Sequence, residues 1–207
     1  LRYSYEDEHI SIVEIGGKHF SHFINLFAHN AVEKKVLCIT DKDFKWFQSD
    51  KMEPISNYAT FVPFHIKAIN KCFGGVINVH IISQKQLGRT FEDELFMSNI
   101  DNDYVLTRLL QIALPNSLKD FINENGINFY KWWNNIEKIN NKSREKIAPI
   151  LKKYICACKS YIKDSNTYKN LFFAELFLTY AKDKKGDVAL SLLVEENLMN
   201  KVIIPDY

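Results

Sequence analysis

The sequence predicts an α/β fold in which a parallel sheet flanked by helices is followed by a C-terminal all-helical extension. Over residues 1–100, apolar runs of strand length alternate with stretches of helical periodicity, whereas residues 101–207 show helical periodicity alone. The strand candidates are rich in β-branched residues and lack polar alternation, which is typical of strands buried on both faces of a parallel sheet. We therefore expect an α/β core at 1–100 and a helical extension at 101–207.

The first hundred residues contain the candidate strands. A strand over Ile10–Ile15 precedes a helix over His19–His29 and a second strand over Val36–Thr40. Because the connections are short, we expect a right-handed parallel crossover between these two strands. A further strand is expected at Val76–Ser83, and Phe44–Phe73 is predicted to be a loop with at most short helices.

The next helix is expected to begin at Thr90. Thr90 and Asp93 have the spacing of a capping box, with Asp in place of the usual Glu or Gln. Beyond it, apolar residues recur at helical spacing in six stretches. These predict helices over Tyr104–Leu114, Asn116–Asn125, Phe129–Ile139, Ser143–Ile162, Thr167–Ala181 and Gly186–Asn197.

The composition narrows the class of protein. With 46% hydrophobic and 25% charged residues, the chain has the composition of a globular protein. No apolar stretch reaches the roughly 18 residues needed to span a bilayer, and no secretory signal pattern is present. We expect a cytoplasmic protein with no membrane partner. The net charge of +2 is too small to argue for nucleic acid, and the basic excess of the second half suits either a solvated face or a phosphate-contacting one.

The chemistry is expected to begin where the strand at Val36–Thr40 ends. Asp41 and Asp43 follow it, separated by one residue. Ligands of parallel sheets bind beyond the carboxyl ends of the strands, and two anionic oxygens favour a hard divalent cation such as Mg²⁺. The ordinary alternative is an Asp-rich turn, since Asp is a common turn residue.

Two further features complete a candidate phosphoryl site. Glu92 and Glu94 fall in or near the first turn of the helix at Thr90, and Lys184 and Lys185 lie at the turn before the last helix. Paired carboxylates can hold a metal ion, and a lysine can offset charge on a phosphate in the transition state. Each piece alone is weak, because acidic residues also favour helix starts and Lys-Gly also joins helices.

Five segments of the chain stand out by their order and spacing: Ile10–Phe20, Val36–Asp43, Arg89–Leu95, Lys184–Leu190 and Ile204–Tyr207. The D-x-D alone is shared by many enzymes, so the order of the motifs is the specific feature. In this order the segments resemble the C-terminal Toprim region of OLD-family ATP-dependent endonucleases. This group includes the nuclease subunit of Gabija-type phage defence.

The resemblance implies a Toprim fold and a DNA endonuclease or nickase that depends on Mg²⁺ or Mn²⁺, with two metal ions in the complete site and a role in antiviral defence. In the family's pattern, Asp41 and Asp43 bind metal and Glu92 completes the catalytic site. Lys185, in the returning segment 184–190, assists at the phosphate. Glu94 is a second acidic candidate for the metal.

The chain also departs from the family's pattern. Ile12–Gly17 imitates the catalytic Val-Glu-Gly, but only one helix separates it from the D-x-D, so Glu14 is expected on the second strand and not as the general base. We expect the first strand with its glutamate to precede Leu1, and these 207 residues alone to show little nuclease activity. The chain has no P-loop motif.

The partners follow from the resemblance. The expected partners are DNA, an N-terminal ABC-type ATPase domain or chain that carries the missing glutamate, and further copies of the protein. Lys184 and Arg89 are the expected DNA contacts.

Two other functions stay open. In a haloacid-dehalogenase-like Mg-dependent phosphatase, an aspartate of the D-x-D accepts the phosphoryl group, and Lys185-Gly186-Asp187 superficially suits it. That architecture needs a further aspartate shortly afterwards, which Val188–Ser191 does not supply. The other is a non-catalytic domain that docks an ATPase partner through its helical half.

Overall fold

The computed structural model describes residues 11–13, 15, 20–28, 34–47, 62, 64–73, 75–76, 78–84 and 88–205. They fall into two compact units. One, which we name the sheet unit, is drawn from Leu1–Thr40 and Val62–Ser83, and the other, the helical unit, from Asp41–Phe61 and Gln84–Tyr207. This division differs from the expected boundary at residue 100, because the D-x-D segment and the helix after Thr90 pack with the helical half.

The sheet unit contains a parallel pair of strands, β1 (Val36–Ile39) and β2 (Val79–Ile82), with Val36 opposite Val79. Helix α1 (Phe20–Ala28) precedes β1 in sequence, and α2 (Phe64–Phe73) lies between β1 and β2. Apolar side chains from all four elements form one core: Ile24, Cys38, Ile69, Phe73 and Val79. The parallel pairing and its flanking helices confirm the predicted α/β class.

Three features of the sheet unit differ from expectation. Residues 11–13 and 15 lie in no regular element, and Ile10 and Glu14 are outside the described residues, as are residues 16–19 and 29–33 of the expected crossover. Helix α2 occupies ten residues of the predicted loop, because Ile66, Ile69 and Phe73 form one short buried stripe. Burial of β1 on both faces is wrong: Cys38 is 4% exposed, but its neighbours Leu37 and Ile39 are 57% and 56% exposed.

The helical unit confirms every predicted helix, with ends shifted by a few residues. The helix expected over Phe129–Ile139 ends early and continues as a 3₁₀ turn, and the last one is broken at Glu195. Among the described residues, no helix combines the length and apolarity that crossing a membrane requires. The helices are α3 (Phe91–Ser98), α4 (Asp103–Ala113), α5 (Asn116–Asn125), α6 (Phe129–Asn135), α7 (Asn141–Ser160), α8 (Ser165–Ala181), α9 (Lys185–Val194) and α10 (Glu196–Met199).

Side chains that cap the helix starts fix these elements locally. The predicted capping box at α3 is present, and the backbone N–H of Thr90 donates to the Asp93 carboxylate at 2.8 Å. An asparagine caps each of three other helices by accepting from a backbone N–H of the first turn, which satisfies a donor that has no partner within the helix. These caps are Asn102 for α4, Asn128 for α6 and Asn140 for α7.

Helix α8 lies at the centre of the helical unit. It is apolar around most of its circumference, which is typical of a helix covered on all sides. Its Phe172 ring makes edge contacts with Phe129 at 5.2 Å and Tyr154 at 6.1 Å, which places α6 and α7 against it. Its Phe177 ring lies 5.5 Å from Phe96, which places α3 against it as well. The helix that carries Glu92 is therefore held by the main core.

We expect Phe172→Ala to lower the free energy of unfolding by about 3–5 kcal/mol, because it leaves a cavity where α6, α7 and α8 meet. The matched control is Leu193→Ala on α9, where the side chain is 74% exposed and the loss should stay within about 0.5 kcal/mol. Urea unfolding followed by circular dichroism measures both. Equal effects of the two substitutions would contradict a core centred on α8.

Candidate metal and phosphate site

The D-x-D segment is anchored in the helical unit directly after its second aspartate. Phe44, Trp46 and Phe47 are buried in the main core. Asp43 has a φ of 48°, in the left-handed region that Asp tolerates better than most residues, and its N–H donates to the Arg89 carbonyl at 2.8 Å. The chain thus turns sharply at Asp43, and the aspartates lie where it leaves β1 and enters the core.

The Asp41 carboxylate is held by donors from two other segments. Its Oδ1 accepts a hydrogen bond from the Gln84 side-chain amide and another from the Phe91 N–H, at 3.1 Å, in the first turn of α3. Burial raises the pKa of Asp41, and the Asp43 and Glu92 carboxylates add to that rise, while Gln84 and Lys185 oppose it. Asp41 is therefore close enough to Asp43, Glu92 and Lys185 to interact with each of their charges.

Glu92 and Lys185 form the central ion pair of the site. Glu92 is 7% exposed, and its Oε1 lies 2.6 Å from the Lys185 Nζ at the start of α9. Burial acts to raise the pKa of Glu92, but hydrogen bonds and the Lys185 charge outweigh it, so that the pKa lies below its usual range. The same hydrogen bond raises the pKa of Lys185, and the charges of Asp41 and Asp43 act in the same direction. The structure thus brings together four of the predicted site residues.

The second acidic candidate, Glu94, points elsewhere. Its carboxylate accepts a hydrogen bond from the Gly88 N–H, and a Cβ on Gly88 would collide with it. Glu94 is 1% exposed, and its charge acts on the buried Lys42. Glu94 thus has a contact within the loop before α3, and Glu92 is the glutamate of this turn that faces Lys185.

The two candidate DNA contacts are engaged within the protein. The Arg89 guanidinium donates to Asp93 at 2.7 Å, lies 3.6 Å over the Trp46 ring and is only 12% exposed. The Lys184 ammonium donates to the carbonyls of Ile112 and Leu114 at 3.2 and 3.3 Å, at the C-terminal end of α4. A cation at that end is favourable for the helix dipole and for the otherwise unpaired carbonyls.

The donors at the site suit a hard divalent cation, since Asp41, Asp43 and Glu92 offer only oxygen atoms. The Glu92 Oε2 is buried and has no hydrogen-bond partner in the described part of the chain, an arrangement that leaves one ligand atom open. In the same part of the chain, no three His, Cys, Asp or Glu side chains stand close enough together to hold an ion. Lys185 occupies the other oxygen of Glu92, so a cation there would compete with its ammonium.

Gln84 is the site residue that the sequence analysis missed. Partners in the β1–β2 pair are 43 positions apart, and the same offset separates Asp41 from Gln84. The contact between Gln84 and Asp41 could therefore be predicted from the sequence only if the parallel pairing and its register were known. Without the register, a glutamine after a strand has no distinguishing pattern.

Acidic side chains after a parallel strand, joined by a lysine from a distant helix, are typical of metal-dependent domains that act on phosphate esters. Residues 1–43 match the family described as overcoming lysogenization defect protein-like, TOPRIM domain, so this segment, which includes Asp41 and Asp43, is similar to OLD-like Toprim sequences. The predicted family resemblance is confirmed there. A Toprim domain indicates a metal-dependent enzyme that acts on nucleic acids. No curated protein and no solved structure shows significant similarity to the chain.

The Glu92–Lys185 pair makes stability depend on pH. Because the folded-state pKa of Glu92 is lowered, its contribution is present above the usual carboxyl pKa and is lost as the pH falls through the folded value. We expect the difference in melting temperature between wild type and Glu92→Gln to be larger at pH 7 than at about pH 3. The matched control is Glu137→Gln, where the partner is Arg144 and the carboxylate is 81% exposed. A pH-independent difference at Glu92 would contradict the pairing.

Proposed function

We propose that this chain is the nuclease module of an OLD-family ATPase–nuclease, and that it hydrolyses phosphodiester bonds of DNA as an endonuclease or nickase. The observation that carries the proposal is the position of Lys185, which lies on Glu92 and within reach of the charges of Asp41 and Asp43. In this proposal the Asp41, Asp43 and Glu92 carboxylates move together to hold Mg²⁺ or Mn²⁺, and Lys185 contacts the phosphate. The Toprim match at residues 1–43 supports it.

The ions of such a site activate water and stabilise the leaving oxygen. The chain's own residues prepare the site for them. Gln84 and the Phe91 N–H hold the Asp41 carboxylate, and the buried Glu92 keeps one oxygen without a hydrogen-bond partner among the described residues. Lys185 is 62% exposed, so its ammonium can leave Glu92 and follow a phosphate without creating a cavity.

The structure supports different roles for three other candidates. Glu94 shapes the loop at Gly88, Arg89 joins α3 to the D-x-D segment through Trp46, and Lys184 caps α4. We propose these as their main roles. DNA would then meet the protein through Lys185 and through other exposed lysines.

The partners in this proposal are DNA, an ABC-type ATPase domain or chain that supplies the Toprim glutamate, and further copies of the protein. A role in antiviral defence in the cytoplasm follows from the same resemblance. Among these, DNA has the most direct support, because the matched segment is a Toprim sequence.

We expect wild-type protein to bind Mn²⁺ and both Asp41→Asn and Asp43→Asn to abolish that binding, since each removes an anionic ligand. Glu92→Gln should weaken the affinity less, and Glu94→Gln should leave it close to wild type because that carboxylate lies on Gly88. Isothermal titration calorimetry measures all four variants. Unchanged affinity in both aspartate variants would rule out the site and favour the non-catalytic docking domain.

In a complete enzyme that also carries the proposed Toprim glutamate, we expect Lys185→Ala to abolish nicking of supercoiled plasmid, and to lower the melting temperature at pH 7 because the buried Glu92 loses its partner. Lys184→Ala is the matched control: it should also melt earlier, because α4 loses its cap, but it should still cut DNA. Cleavage that persists in Lys185→Ala would reject its role at the phosphate. Hydrolysis of a small phosphate monoester without any cutting of DNA would favour the phosphatase.

A further inference from the structure

Gln84 makes two hydrogen bonds that join it to the D-x-D. It is 1% exposed, its amide group donates to the Asp41 Oδ1, and its Oε1 accepts from the Lys42 N–H at 2.9 Å. We propose that Gln84 is a positioning residue, which fixes the Asp41 carboxylate in the orientation that a divalent cation requires. This inference rests on the function proposed above.

The orientation of the Gln84 amide follows from its neighbours. A backbone N–H can only donate, so the Lys42 N–H must face the Gln84 oxygen. The amide nitrogen is then the end that faces Asp41, and an amide nitrogen can only donate. Gln84 thus offers Asp41 a donor that cannot be turned away without breaking the bond to Lys42.

A second donor completes the constraint on Asp41. The Phe91 N–H donates to the same Oδ1 at 3.1 Å. One carboxylate oxygen is therefore tied to both the chain after β2 and the start of α3, which restricts rotation of the whole group. Loss of a residue that orients a metal ligand in this way typically weakens metal affinity about 10- to 100-fold.

A purely structural role for Gln84 makes a different prediction. If Gln84 served only to satisfy the Lys42 N–H, its loss would lower stability and leave the affinity of the site unchanged. Two substitutions separate the roles. Gln84→Glu keeps an acceptor for the Lys42 N–H, but it loses the donor to Asp41 and its carboxylate repels the Asp41 carboxylate. Gln84→Met keeps the length of the side chain and loses both hydrogen bonds.

A buried amide far from the site provides the control. Asn99 is 1% exposed, donates to the carbonyls of Leu95 and Ile203 at 2.8 Å, and accepts from the Ile203 N–H at 2.7 Å. Asn99→Ala therefore removes a comparable set of hydrogen bonds without touching the D-x-D. It should lower the melting temperature and leave Mn²⁺ binding unchanged.

The experiment is Mn²⁺ titration by calorimetry on the wild type, Asp41→Asn, the two Gln84 variants and Asn99→Ala, with folding checked by circular dichroism. We expect Gln84→Met to weaken Mn²⁺ binding about 10- to 100-fold and Gln84→Glu to weaken it at least as much. If Gln84→Met does not fold, Gln84→Glu decides, because it retains the contact with Lys42. Wild-type affinity in a folded Gln84 variant would overturn the positioning role.

The outcomes distinguish this inference from the proposed function. If the wild type binds no Mn²⁺, or binds it in the same way as Asp41→Asn, the proposed function fails and the role of Gln84 fails with it. If binding depends on Asp41 but not on Gln84, only the positioning role is overturned. A loss of affinity in Asn99→Ala equal to that in Gln84→Met would also overturn it, because general destabilisation would then explain both.

Discussion

The ion pair between Glu92 and Lys185 is the interaction on which the site depends. A carboxylate as buried as Glu92 is costly to keep ionised unless a charge or strong hydrogen bond compensates, and the lysine at 2.6 Å supplies both. The same ammonium also offsets the charges of Asp41 and Asp43, which would otherwise repel Glu92. This ammonium comes from the start of α9, so the last part of the helical unit supplies the positive charge that acts on the three carboxylates.

The scaffold behind this pair is a second, partly buried polar network. The Arg89 guanidinium lies over Trp46 and pairs with Asp93, and Glu175 on α8 accepts hydrogen bonds from Tyr154 and Lys153 on α7. The Arg89 guanidinium also lies 3.9 Å from the Glu175 carboxylate, so these contacts join the D-x-D segment and α3 to the two longest helices of the unit. Glu92 is thus carried by a helix that packs in the core, and the D-x-D segment is anchored by the core residues that follow it.

The sequence was sufficient to predict the helices of the helical unit and the family resemblance of residues 1–43. It was not sufficient to predict which side chains of the sheet unit and of the site are buried or which partners they contact. The capping box at Thr90 could be predicted because it depends on only four consecutive residues. The exposed face of β1 could not, since Leu37 and Ile39 have the composition of buried strand residues and only the packing of other elements decides their burial. The low exposure of the Arg89 side chain could not be predicted either, because its partner Trp46 is remote in sequence.

The first turn of α3 shows why residue type alone cannot assign such a site. It carries three successive acids, Glu92, Asp93 and Glu94, and all of them are buried and favoured there by the helix dipole. Successive residues of a helix point about 100° apart, so the three carboxylates face different partners. The Asp93 carboxylate accepts a hydrogen bond from the Arg89 N–H before the helix. The Glu94 carboxylate accepts one from the Gly88 N–H, and the Glu92 carboxylate pairs with the Lys185 ammonium. Of the three, Glu92 has a buried oxygen without a hydrogen-bond partner in the described part of the chain, and this is why we propose Glu92 as the metal ligand.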